Sequence, residues 1–181
     1  MDRRSYQDWW IYRFVTGRRR LLLSFVAGLA LFSLLPDSMR LATRLILSWD
    51  LTADYVKQRK AFGKPLAAFQ NTQFRLAEMR MQLDIAQCYV DQCVRAFAAD
   101  QLTAADAAKA KLVTSELAVS AADLGVQMHG GAGYMDEYPI SRQYTDARIT
   151  TIYAGSSEVM KIIISRDCLG ENYVPFNTRN F

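Results

Sequence analysis

From Trp49 onward, apolar side chains recur every three or four residues, and nowhere do they alternate with the two-residue period of a strand. That rhythm restricts the body of the chain to an all-α fold. Phe74, Leu76, Met79, Met81, Leu83, Ile85, Ala86, Tyr89, Val90, Cys93, Val94 and Phe97 predict one amphipathic helix over residues 69–99. Thr103 followed by Asp106 is a capping-box-like start with Asp in the usual place of Glu. It opens a second long helix over 103–127, carried by Ala107, Ala110, Leu112, Val113, Leu117, Ala121, Leu124 and Val126. Leu51, Tyr55 and Val56 mark the end of an earlier helix, closed by Gly63 and Pro65. A short helix follows Pro139, and a last one covers 157–169. There is no internal repeat. Long helices with short connections predict an antiparallel helical bundle with no β-sheet between residues 50 and 170.

The first 48 residues read differently. Residues 1–44 hold eight Arg, no Lys and three Asp, a balance of +5, whereas residues 45–181 hold 14 basic and 15 acidic residues. The overall charge of +4 is therefore local, and the neutral body carries no footprint for nucleic acid. An Arg triplet, Arg18 to Arg20, precedes the apolar run LLLSFVAGLALFSLL over 21–35, which Pro36 ends. As a helix those fifteen residues would span about 22 Å, short of the ~30 Å of bilayer hydrocarbon. Three readings stay open: a membrane or signal element, a helix of the body's own bundle, or a non-native leader from a shifted frame joined to a truncated domain. The abrupt change in composition favours the last. It predicts that residues 1–44 pack poorly on the body or project from it. The chain thus divides into a basic and apolar segment (1–48), a helical body (49–170) and a tail (171–181).

Cys88, Cys93 and Cys168 show no metal spacing, and their odd number suggests reduced thiols in a cytoplasmic setting. Membrane association would need residues 21–35 to act as an anchor.

Three glycine-punctuated signals sit at the edges of the helical stretches: QRKAFGKPL (58–66), QMHGGAGY (127–134) and IYAGSSEV (152–159). Each joins a basic or amide side chain to a tight turn, which suits a chain that wraps a large phosphate-bearing cofactor. His129, the lone histidine, sits beside a helix cap and reads as structural.

With these signals in this order and spacing, residues 49–170 resemble the C-terminal helical domain of the acyl-CoA dehydrogenases, most of all the long-chain branch. The resemblance implies FAD held between domains and across a subunit interface. It also implies an acyl-CoA substrate, an electron-transfer flavoprotein as electron acceptor, and a homo-oligomer. The implied reaction is α,β-dehydrogenation: an α proton leaves to a base and a β hydride passes to the flavin. Arg59 matches the arginine that meets the FAD pyrophosphate from the neighbouring subunit, where a guanidinium fork pairs with phosphate oxygens. Phe62 and Gly63 shape that turn, and Gln70 matches a polar FAD contact. Gln127, Gly130 and Gly131 match the loop that approaches the adenosine side, where glycine admits close backbone approach. Ser156 and Ser157 match flavin-side contacts at a helix N-terminus, Glu158 matches a cofactor-side contact, and Tyr153, Ala154 and Gly155 match the substrate-side loop.

The catalytic base is the point of departure. The medium- and short-chain branches carry a catalytic Glu where this chain has Ala154, which cannot take a proton. In the long-chain and isovaleryl branches the base comes from an earlier helix, at a position that maps near Ser33. No Glu precedes Glu78, so Asp37 is the one nearby carboxylate and a weak candidate. The family's N-terminal helical and central β domains find no counterpart in 181 residues. The reading is therefore a C-terminal domain fragment, inactive alone. The alternatives are a helical oligomerisation module, or a subunit completing the FAD site of a separately encoded partner.

Overall fold

The structure is a computed structural model that describes residues 19–170, without the side chains of residues 19–37 and 43. Five α-helices follow one another: α1 (Arg19–Gln58), α2 (Gln70–Ala98), α3 (Ala104–His129), α4 (Pro139–Thr150) and α5 (Ser157–Leu169). A minimal hairpin joins α1 to α2, with β1 (Lys60–Ala61) antiparallel to β2 (Lys64–Pro65), followed by a 3-10 turn over Leu66–Ala68. A second 3-10 turn, Gly130–Tyr134, follows α3.

The helical bundle expected from the periodicity is present, and both long helices fall within two residues of their predicted limits. The expectation of no sheet is corrected by the hairpin. Its two-residue strands are too short to leave a period in the sequence. Gly63 and Pro65 do not close a helix: α1 ends at Gln58, and both residues belong to the hairpin.

α3 is the hub and packs against α1, α2, α4 and α5. Its buried surface is made mostly of small residues, including Ala107, Ala108, Ala110, Ala118, Ala121, Ala122 and Gly125. Alanine is the best helix former and adds little girth, so partners can approach on several sides. The main core joins Leu41 and Leu45 of α1, Met79 and Leu83 of α2, Leu124 of α3 and Ala147 of α4. The closest approach is at Gly125. A Cβ there would lie 2.5 Å from Ile140 Cδ1 and 2.8 Å from Thr52 Oγ1, so glycine lets α1, α3 and α4 converge.

The expectation that residues 1–44 pack poorly on the body is also corrected for the described part. α1 runs unbroken past Pro36 and through positions 48 and 49. Ser38, Leu41, Ala42 and Leu45 are buried. Their spacing continues through Ser48, Thr52, Ala53 and Val56, which are buried too, so this stretch is one face of a bundle helix. The anchor reading of residues 21–35 and the base reading of Asp37 rest on side chains outside those described, and the leader's first 18 residues and the tail (171–181) lie outside the described residues. Among the described residues no helix is long and apolar enough to cross a membrane.

Polar contacts fix the helix ends. Trp49 Nε1 donates to the Leu76 carbonyl at 3.2 Å, and the Arg80 guanidinium lies 5.2 Å from the Trp49 ring centroid, joining α1 to α2. The Thr103 hydroxyl caps α3 through the Asp106 N–H and donates to the Asp106 carboxylate at 2.6 Å. That carboxylate also meets Tyr89 of α2 and Lys109. The Thr103 hydroxyl, then Lys109 and Tyr89, hold the Asp106 carboxyl below its usual range against a smaller opposing effect of burial. Burial above all pushes the Tyr89 phenol up. The three thiols are free, with Cys93 buried and Cys88 and Cys168 exposed.

Gly125→Ala is expected to destabilise the fold. Overpacking a filled core costs about 1–3 kcal/mol, which outweighs the roughly 1 kcal/mol that alanine gains over glycine inside a helix. Thermal denaturation checks this, with Gly131→Ala as control. A Cβ at Gly131 meets nothing within 4 Å, so that variant should stay within about 0.5 kcal/mol of the parent.

His129 supplies a second expectation. Its Nδ1 lies 2.7 Å from the Gly125 carbonyl, to which an Nδ1–H donates. Burial lowers its pKa, and the Gly125 contact offsets this only in part. A folded pKa below the unfolded value of about 6.5 means the unfolded state binds more protons in that window. The stabilisation is complete above pH ~6.5 and declines as pH falls toward the folded value. Chemical denaturation between pH 7 and 5 should show that slope, and His129→Gln should flatten it.

Candidate functional site

The first signal begins where α1 stops. The Arg59 N–H donates to the Tyr55 carbonyl, and the Leu66 N–H donates to the Arg59 carbonyl, both at 2.8 Å. Arg59 therefore sits at the root of the hairpin. The register pairs Ala61 with Lys64 and leaves Phe62 and Gly63 as a two-residue loop. Both have positive φ, 51° and 78°, the pattern of a type I′ turn. Glycine suits that geometry, whereas phenylalanine is strained in it. Phe62 is also 95% exposed, with one edge-on ring contact to Phe69 at 6.5 Å. Packing within the chain does not explain an aromatic side chain there. The exposed Arg59 guanidinium makes no hydrogen bond or ion pair among the described residues. Gln70 is the first residue of α2, and no side chain caps that helix.

The second signal is the end of α3. Gly130 has φ 62°, and its N–H donates to the Gln127 carbonyl, so it turns the chain out of the helix. Gly133 folds back against α3, where a Cβ would lie 2.7 Å from the Val126 carbonyl oxygen. Gly131 has neither a positive φ nor a close neighbour. Nothing inside the chain requires glycine at that position.

These two signals share one end of the bundle. The Tyr55 ring stacks on His129 with centroids 3.9 Å apart, and its hydroxyl donates to the His129 carbonyl at 3.3 Å. Tyr138 meets both rings edge-on. Arg59 follows Tyr55 by four residues, and Gly130 directly follows His129. The lone histidine is thus the buried joint between the two signals.

The third signal lies elsewhere. Ile152 and Tyr153 both donate to the Ile149 carbonyl, and the Ser157 N–H reaches back to the Thr151 carbonyl at 3.1 Å. Ala154 and Gly155 have φ of 52° and 99°, and Tyr153 and Ala154 are exposed. Ser156 caps α5, its hydroxyl accepting from the Val159 N–H at 3.5 Å. Glu158 lies in the first turn. Its own backbone N–H, then the Ser156 hydroxyl, keep its carboxyl below the usual range. Among the described residues no group of His, Cys, Asp and Glu side chains converges to hold a metal.

Sequence reasoning missed one residue of this region. Lys111 is fully buried, and its Nζ donates to the Gly155 carbonyl at 2.5 Å. The signal was there to see: Lys111 occupies the 107, 111, 114, 118 stripe that α3 buries. Sixteen residues of α3 separate Lys111 from Gln127, about 24 Å along the axis. The structure therefore brings Arg59, Phe62, Gln70, Gln127, Gly130 and Gly131 toward one end of α3. It places Tyr153, Ala154, Gly155, Ser156 and Glu158 toward the other. Asp37 lies on α1.

Known proteins share this fold. The sequence profile of the acyl-CoA dehydrogenase C-terminal domain matches residues 38–169. The mitochondrial long-chain specific acyl-CoA dehydrogenase of Sus scrofa is 44% identical over 138 residues, covering 74% of this chain and 32% of that protein. The crystal structure of an acyl-CoA dehydrogenase from Geobacillus kaustophilus superposes with a TM-score of 0.75 at 38% identity, covering 77% of this chain and 37% of that one. A structure described as an electron transferring flavoprotein of Acidaminococcus fermentans gives a TM-score of 0.73 at 29% identity, covering 75% and 36%. The chain spans about a third of the length of the curated relatives it matches. The match to the profile covers most of the sequence, and the chain belongs to the acyl-CoA dehydrogenase family through its C-terminal domain.

Proposed function

We propose that this chain is the C-terminal part of a flavin-dependent acyl-CoA dehydrogenase, acting on acyl-CoA thioesters with FAD and passing electrons to an electron-transfer flavoprotein. Arg59 carries the reading. It is an exposed guanidinium without a partner among the described residues. It lies at the end of the bundle where Gly131 leaves open space for an approaching group. This donor set fits the ADP half of FAD. Arg59 would pair with the pyrophosphate, helped by the uncapped start of α2. Gln70 and Gln127 would supply amide contacts, Phe62 an exposed ring, and Gly130 and Gly131 a backbone that a ligand can approach. Ser156 and Glu158 would face the flavin side, and the 153–155 loop the acyl-CoA.

When bound, FAD supplies a hydride acceptor. What this chain adds is binding and orientation. Ala154 offers no acid–base group, so the proton acceptor must come from elsewhere, and Asp37 is the candidate on α1. The two groups of site residues meet α3 near Gln127 and Lys111, positions about 24 Å apart along one continuous helix. A chain alone therefore presents two half-sites. A second copy bringing its Arg59 end to the other's Ser156 end would complete each. We read the isolated chain as inactive, because a ligand held on one side stays in water, and orientation can be worth about 7–11 kcal/mol of a reaction barrier.

A second reading, a helical oligomerisation module, draws on α2. Phe74, Met81 and Ile85 share one stripe and are 57%, 55% and 63% exposed. Both readings require self-association, so cofactor binding separates them.

The test is calorimetric titration of the purified chain with FAD and with ADP. Binding of both is expected, weakening with salt, and Arg59→Met should lose about tenfold or more, since hydrogen bonds to charged groups contribute about 1.5–3 kcal/mol. Absence of binding by an oligomeric parent chain would favour the module. Dye reduction with acyl-CoA and added FAD should show no steady turnover. Turnover that Asp37→Asn abolishes would overturn the inactive reading and place the base at Asp37.

A further inference from the structure

We propose that Lys111 is a positioning residue that sets the 153–156 loop from inside the bundle. Its side chain has no exposed surface. A lysine amine so placed must find its acceptors within the fold. The Gly155 carbonyl, 44 residues away in sequence, is one of them. The contact fixes more than a distance. Among the described residues every peptide bond is trans. In a trans peptide the N–H points opposite to the carbonyl. With the Gly155 carbonyl turned inward to Lys111, the Ser156 N–H faces the other way, away from the amine. That N–H has no acceptor among the described residues. A donor pulling on the carbonyl also polarises the peptide and makes the N–H a better donor.

The neighbouring geometry shows why such a hold is needed. Ala154 is an alanine at φ 52°, a conformation that costs energy and persists only where the surroundings impose it. The loop's backbone restraints are few: the Tyr153 N–H to the Ile149 carbonyl, the Ser157 N–H to the Thr151 carbonyl, and the Met160 N–H to the Ser156 carbonyl. Below it, Gly155 lies against Met160, where a Cβ would come within 2.5 Å of Cε. The buried amine ties this loop to α3. It holds the Gly155–Ser156 peptide with its free donor available at the start of α5. That this donor meets a flavin rests on the function proposed above. That Lys111 sets the loop does not, and it can be read without any cofactor.

Hydrogen exchange followed by mass spectrometry on the full chain tests it, comparing the parent with Lys111→Met. Thr114→Val is the control, because that buried hydroxyl bonds only within its own helix, to the Ala110 and Lys111 carbonyls. Expected for Lys111→Met is at least tenfold faster exchange at the Tyr153 and Ser157 amides, with α2 around Leu83 to Cys93 still protected. Thr114→Val should not single out the loop. Equal acceleration of loop and α2 would reduce Lys111 to a packing residue and overturn the proposal, as would unchanged loop amides. If Lys111→Met does not fold, nuclear Overhauser contacts between the Lys111 ε-methylene and Gly155 Hα in the parent decide. Their presence supports the tie and their absence overturns it.

Discussion

Everything in this bundle depends on how closely its neighbours can approach α3. Four helices lean on it, and they can do so because most of its buried positions are alanine, with a glycine at the tightest point. At Gly125 the margin is smallest, with Ile140 of α4 and Thr52 of α1 both inside the space a methyl group would take. Close approach brings the end of α1 beside the end of α3. There Tyr55 and His129 stack, and two motifs that lie some seventy residues apart in sequence emerge together. A bulkier α3 would still form a helix. It would hold α1 farther off and separate Arg59 from the glycine turn.

Strain is placed with equal economy. Three non-glycine residues among those described have positive φ: Phe62, Asp100 and Ala154. Asp100 turns the chain between α2 and α3, where a short polar residue tolerates that conformation. Phe62 and Ala154 lack that excuse, and both are exposed. Strained, exposed residues of this kind persist when surrounding structure over-determines them, and they concentrate at ligand-handling positions. At Phe62 the over-determination is the hairpin register. At Ala154 it is the loop's tie to Lys111 below it.

The helices were legible because each presents a long, regular apolar stripe. The capping pair Thr103 and Asp106 and the proline opening α4 marked their starts correctly. The hairpin was not legible, since two residues per strand cannot show a period. Gly63 was ambiguous, because a glycine after a helix serves as well in a turn as in a cap. The start of the bundle is hidden for a different reason. Arginine content and an apolar run dominate the composition of residues 1–44. Yet Ser38, Leu41, Ala42, Leu45, Ser48 and Thr52 already carried the three-and-four spacing of a buried face. Lys111 was passed over because a lysine is ordinarily solvated, and only its place on the α3 stripe argued otherwise.

The position of Lys111 bears on how the two halves of the site relate. α3 ends in the glycine turn beside Arg59, and about 24 Å back along its axis it holds the Gly155 carbonyl. A single continuous helix, buried along much of its length, thus fixes both groups of site residues. Neither group can move toward the other without bending that helix, and no hinge lies between them in the described structure. The spacing is set by the number of residues between Lys111 and Gln127, not by loops. A cofactor that needs donors of both kinds must then take them from two copies, each presenting opposite ends of its α3. In such an arrangement a substitution at one half-site would be felt at the partner's reaction centre. Mixed oligomers carrying one defect per copy, Arg59 altered in one and Ser156 in the other, would therefore retain one intact composite site in two, whereas both defects in the same copy would spoil both sites.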